Sequence, residues 1–170
     1  LGLSVVLYEA GEMGGDCLNT GCVPSKALIA AARTAVAQRT ADRFGIAATT
    51  PQVNWDAVRA HVPGVIDTIA PIDSQERFEG LGCTVLREMA RFTGPDTVES
   101  DSAVVRARRF VIATGASAAI PPIPGLSDVP YLTNETVFAQ DTLPDSLIVL
   151  GGGVIGVELG QAFARLGTQV

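Results

Sequence analysis

Residues 3–8, Leu-Ser-Val-Val-Leu-Tyr, form an apolar run rich in β-branched side chains that stops at Glu9. A run of this length predicts a buried parallel strand. A Gly-rich loop over residues 11–15 follows, and from about Asp16 to Gln38 an Ala-rich pattern predicts a helix, with Pro24 the exception. Asn54 stands as an N-cap before a helix that starts at Trp55. Pro63-Gly64 is expected to kink or break that helix and Pro71 to end it. Asp73 then caps a third short helix to about Glu79.

From Cys83 the pattern changes. Short β-rich runs at Thr84–Leu86, Arg91–Thr93, Thr97–Glu99 and Ala103–Val105 are separated by turn residues such as Gly94-Pro95-Asp96, which predicts an antiparallel meander. Arg109 to Ala113 reads as a strand running into Thr114-Gly115, and a proline-rich irregular stretch covers Pro121 to Pro130. Leu147–Leu150 reads as a buried strand, residues 151–156 as a glycine turn, and Val154–Leu166 as a helix closed by Gly167. Both ends, Leu1 and Val170, fall inside strand-like runs, so the chain is expected to be a piece of a longer protein. The expected division is one domain over residues 1–143 and the first βα unit of another over residues 144–170.

Composition narrows the function classes. Apolar residues make up 47% and charged residues 18%, enough to pack a core without disulfide staples. A net charge of −6 without any Lys/Arg block gives no expectation of nucleic acid or an anionic membrane as partner. No apolar run reaches the roughly 18 residues of a membrane span, and the first residues do not read as a signal peptide. Three cysteines are too few for a secreted disulfide framework. They fit a reducing compartment, so a cytoplasmic location is expected.

The strongest chemical signal is residues 14–26, Gly-Gly-Asp-Cys-Leu-Asn-Thr-Gly-Cys-Val-Pro-Ser-Lys. It places Cys17 and Cys22 at the start of a helix, where the helix dipole favours thiolate, and puts Lys26 one turn beyond Cys22. In an ideal helix, residues five apart have Cα atoms roughly 8–9 Å apart, whereas a disulfide needs less than about 7 Å. A Cys17–Cys22 bridge therefore requires a distorted first turn near Asn19–Gly21, with Gly21 placed to permit it. Two buried, inert thiols are the other reading the spacing leaves open. Neither Cys83 nor His61 has zinc-finger spacing, so no metal site is expected.

Gly151, Gly153 and Gly156 make a Gly-x-Gly-x-x-Gly between an apolar strand and a helix, the context in which glycines let a backbone approach a pyrophosphate at a helix N-terminus. A purely structural glycine turn is its alternative. Glu9 ends the first strand, where a Rossmann unit carries an acidic ribose ligand, although an ordinary strand-end carboxylate would look the same. Residues 111–116, Val-Ile-Ala-Thr-Gly-Ala, end another strand on small residues that allow close backbone contact. Cys83, Met13, Met89 and His61 read as packing or surface residues and Trp55 as core.

Together these motifs resemble the class I pyridine nucleotide–disulfide oxidoreductases, the dihydrolipoamide dehydrogenase and mercuric reductase type, over nearly the whole chain. The resemblance implies an α/β fold: a Rossmann-like FAD-binding domain with an antiparallel meander, followed by the start of a Rossmann-like NAD(P)-binding domain. It implies that Cys17 exchanges with substrate, that Cys22 lies against the flavin, and that Lys26 sits near the flavin and pairs with Glu158. It places Glu9, Gly15, Asp16, Lys26, Ala90, Ala113, Thr114 and Gly115 at FAD and Gly151, Gly153 and Gly156 at NAD(P)H. Asp16 departs from the family, where Thr is frequent; a carboxylate there would repel the FAD pyrophosphate unless it points away or binds a donor.

The implied enzyme moves electrons between NAD(P)H, FAD and a Cys17–Cys22 disulfide, toward a small or protein-bound disulfide, a dithiol or a metal ion, in a homodimer. The competing reading is a non-catalytic nucleotide-binding or interaction module. The chain alone is expected to be inactive and to bind FAD weakly or not at all, because the first FAD glycine turn would precede Leu1.

Overall fold

The computed structural model describes residues 2–170. Val5–Tyr8 (β1) and Cys83–Leu86 (β2) form a parallel pair, in register from Val5 opposite Cys83 to Tyr8 opposite Leu86. The meander expected from Thr84 onward therefore loses its first member. An apolar run of this kind does not reveal from sequence whether its partner is parallel. Arg91–Gly94 (β3), Thr97–Glu99 (β4) and Val104–Arg106 (β5) make the antiparallel meander proper, in the order β3-β4-β5.

The helix expected over residues 16–38 is two helices, Gly15–Asn19 (α1) and Cys22–Arg39 (α2), broken at Thr20-Gly21. Trp55–Ile69 (α3) starts where Asn54 predicts, with the Ala57 N–H donating to Asn54 Oδ1 at 3.2 Å. Of the kink or break expected at Pro63-Gly64, the break does not occur: α3 runs through Pro63. Val62 is buried and Val58, Val65 and Ile66 pack against the core beside it. Burying such side chains gains about 1.5–3 kcal/mol each, which together outweighs the roughly 3 kcal/mol of an interior proline. The next helix, Gln75–Gly80 (α4), is capped by Ser74 and not by Asp73. Ser74 has the extended backbone of a cap and accepts from the Arg77 N–H at 3.2 Å, whereas Asp73 still belongs to a 3₁₀ turn.

Two expected strands are not realised as regular strands. Arg109–Ala113 pairs with no strand among the described residues, and Val111 is 92% exposed. Leu147–Leu150 forms no strand among the described residues; the neighbouring Ser146 makes one parallel bridge, to Gln169, and Ile148 is 85% exposed. An apolar run becomes a strand only when another strand satisfies its N–H and C=O groups. Val154–Leu166 (α5) follows the glycine turn as predicted and ends at Gly167 with φ +123°.

The core joins three helices. Leu28 and Ala32 of α2, Val62 of α3 and Ala162, Phe163 and Leu166 of α5 pack together with Val137. Trp55 closes one side, its ring centroid 6.0 Å from that of Phe163 and its Nε1–H donating to Gln140 O at 3.0 Å. At the far end of the pair, Arg39 Nη1 donates to Arg165 O at 2.6 Å, tying α2 to the last turn of α5. The start of α2 is thereby fixed beside the start of α5.

Candidate redox site

The chain leaves β1 and turns into α1 through Gly14 (φ +87°) and Gly15 (φ +56°). A side chain at Gly14 would collide with Leu18, which is buried beneath the loop. The Asn19 amide donates to Met13 O at 3.1 Å and Gly15 O at 2.9 Å, so the short helix is laced to the loop that precedes it. At the break, a Cβ on Gly21 would lie 2.8 Å from Asp16 O. Glycine there lets the start of α2 fold back against α1. Ser25 fixes the new helix, its N–H donating to Gly21 O at 3.1 Å and its hydroxyl to Cys22 O at 3.2 Å.

This break brings Cys17 and Cys22 together. Hydrogen bonding with the Cys22 side chain is the largest influence on the Cys17 thiol and holds it above the ordinary thiol range; burial and the charges of Cys22 and Asp73 push the same way, and the Cys22 backbone N–H pulls against them. Both thiols are reduced and exposed, so they are open to reaction. One turn on, Lys26 Nζ donates to both Glu158 oxygens at 3.1 Å. The cysteine turn and the helix behind the second glycine turn are thus joined directly.

The other expected site residues fall as follows. Glu9 Oε1 accepts from the Gly11 N–H at 2.7 Å, while Arg87 holds Gly11 from its carbonyl side. Asp16 Oδ2 accepts from the Ala116 N–H at 2.8 Å. Ala113, Thr114 and Gly115 are exposed, and Ala90 is half-buried just before β3. Gly151 has φ +109°, Gly153 caps α5, and a Cβ on Gly156 would lie 2.6 Å from Gly151 O. A shallow groove of about 470 Å³ opens beside this turn, lined by Val149, Gly151, Gly152, Gly156, Gly160 and Val170.

Sequence reasoning missed Asn19, Asp73 and Arg39. Asn19 carried a signal, since Asn is a poor helix former whose side chain bonds nearby backbone. Asp73 and Arg39 carried none, because their partners are distant in sequence. His61 and Met89 are exposed, Met13 and Cys83 half-buried. Among the described residues no three His, Cys, Asp or Glu side chains gather to hold a metal ion. No helix among them is long and apolar enough to cross a membrane.

The pyridine nucleotide-disulphide oxidoreductase family profile matches residues 1–170. The chain belongs to this family. The mercuric reductase of Shigella flexneri is 42% identical over 99% of this chain and 31% of its own length. That of Streptomyces lividans is 38% identical over 99% of this chain and 37% of its own. Among solved structures, the Cu(II) complex of the HOCl-induced flavoprotein disulfide reductase RclA from Escherichia coli superposes with a TM-score of 0.78 at 25% identity, covering 98% of this chain and 35% of that one. The chain therefore spans about a third of the length of these relatives.

The fold is the α/β, Rossmann-like fold of these flavoproteins. Family and relatives imply FAD and NAD(P)H as cofactors, and the glycine turn before α5 has the form that holds a dinucleotide. A Cβ on Gly156 would meet Gly151 O, so glycine at 156 lets the turn before α5 close tightly, as in a dinucleotide-binding glycine turn at a helix N-terminus.

Proposed function

We propose that the protein containing this chain is an FAD-dependent oxidoreductase acting on a sulfur group, with Cys17 and Cys22 as its exchangeable disulfide. The observation that carries this reading is the helix break at Thr20-Gly21, which leaves Cys17 and Cys22 both exposed and each in reach of the other's influence. A pair of inert packing cysteines would not need Gly21 at van der Waals limits or both sulfurs exposed. FAD supplies the passage of a hydride's two electrons from NAD(P)H to sulfur. Those electrons and two protons convert the Cys17–Cys22 disulfide to two thiols. Cys17 as thiolate then attacks a substrate disulfide, forming a mixed disulfide and releasing one substrate thiol. Cys22 attacks the Cys17 sulfur, releases the second substrate thiol and restores the pair. In this scheme Lys26 and Glu158 stand beside Cys22 and hold the flavin side of the site in place. A soft metal ion is the other substrate class, since the relatives named above include mercuric reductases.

Further parts of the proposal are FAD contacts at Glu9, Gly15, Ala90, Ala113, Thr114 and Gly115, a division near residues 143–144, a homodimer, and a cytoplasmic location. The test is redox titration of the purified chain in glutathione buffers with peptide mapping. An internal Cys17–Cys22 bridge is expected, with Cys83 left as thiol. Pairing through Cys83, or glutathione adducts alone, would overturn the assignment. The longer protein should be yellow and gain a long-wavelength charge-transfer band on half-reduction.

A further inference from the structure

Asp16 immediately precedes Cys17, yet its carboxylate is engaged elsewhere. Oδ2 accepts from the Ala116 N–H at 2.8 Å, across 100 positions of sequence. The same oxygen lies against Gly115, whose φ of +72° and lack of a side chain are both needed there, since a Cβ would collide with it. The flanking apolar residues Val111, Ile112 and Ile120 are exposed, so segment 113–116 has few other anchors. A charge-assisted hydrogen bond is among the stronger ones available to an otherwise unpaired backbone amide.

We propose that Asp16 is a positioning residue that fastens segment 113–116 to the redox turn, and that it is neither a cofactor ligand nor a modulator of the Cys17 thiol. The assignment rests on the redox reading only for its purpose: it sets how closely the small residues 113–115 approach the cysteine helix. A carboxylate in this place is also tolerable beside an anionic cofactor, since its charge faces a backbone donor.

The test uses the ¹⁵N-labelled chain, following hydrogen exchange at the Ala116 amide and the pH dependence of Cys17 alkylation by peptide mass. Asp16→Ala should speed exchange at Ala116 roughly tenfold or more. Asp16→Asn, which keeps an acceptor oxygen and loses the charge, should retain most of the protection. Gly115→Ala should release the amide although Asp16 is intact. The alkylation midpoint of Cys17 should be the same in both Asp16 variants as in the unaltered chain. Unchanged exchange in Asp16→Ala and Gly115→Ala, or a Cys17 midpoint that falls in both Asp16 variants, would overturn the proposal. Failure of Cys17 and Cys22 to oxidise together would sink the redox reading and leave this assignment standing.

Discussion

Lys26 Nζ lies 3.1 Å from each carboxylate oxygen of Glu158, a two-pronged contact between α2 and α5 made by residues 132 positions apart. The Lys26 side chain is 60% exposed and that of Glu158 36%. An ion pair so open to water is a weak fastening, and its value lies in where it places the ammonium.

A double-mutant cycle of Lys26→Met and Glu158→Gln, read by urea unfolding, should give a coupling below about 1 kcal/mol. The coupling should fade in salt near 1 M, where screening reaches only about 3 Å. A coupling of several kcal/mol that ignores salt would mean that the pair is buried and structural.

Gly21→Ala should cost about 1–3 kcal/mol, the usual range for forcing an extra carbon into a packed place. The obstacle is backbone, Asp16 O at 2.8 Å, and cannot rotate away. The same change should slow formation of the Cys17–Cys22 disulfide in a glutathione buffer, because the start of α2 must retreat from α1. A variant that oxidises at the original rate would show that Gly21 is not what brings the sulfurs together.

The Cys17 thiol is held up chiefly by its hydrogen bond with Cys22, with Asp73 a smaller contributor. Cys22→Ala should therefore move the pH midpoint of Cys17 alkylation downward, and Asp73→Asn should move it in the same direction by less. A raised thiol value also has a sign for stability. The reduced chain gains from a protonated Cys17 in full below the ordinary thiol value, and loses that gain as pH rises through the raised one. Reduced unaltered chain should thus weaken in alkaline solution more than Cys17→Ala does, as chemical denaturation across that range would reveal.

Thr168 is 5% exposed, and its hydroxyl finds no hydrogen-bond partner among the described residues. Thr168→Val replaces the hydroxyl with a methyl group of similar size and removes an unmet desolvation cost. A gain of about 1 kcal/mol is expected in urea unfolding. A loss of that size would show that the hydroxyl has a partner after all.

Local signals made much of this legible in advance. Asn54 announced α3, Gly167 ended α5, and the distorted turn that a Cys17–Cys22 bridge would require is present as the break at Thr20-Gly21. What escaped depended on distant partners. Nothing near Thr84 says that its strand runs beside β1, and nothing near Pro63 says that α3 has enough buried surface to carry a proline. Arg109–Ala113 and Leu147–Leu150 have strand-like sequences, but a strand is a relation between two segments. For Asp16 the sequence posed the right question, where a carboxylate could find a donor, and the answer was a backbone amide 100 positions away.

The bond from Arg39 to the Arg165 carbonyl has a mechanical consequence. Helix α5 meets α2 near its beginning through the weak Glu158 pair and near its end through Arg165, two points about 10 Å apart along the axis at 1.5 Å per residue. Between them Ala162 and Phe163 are buried. It is this buried packing, more than the two polar contacts, that resists pivoting of α5 on α2. Any rocking of the second glycine turn toward or away from the cysteines has to shear this whole helix pair.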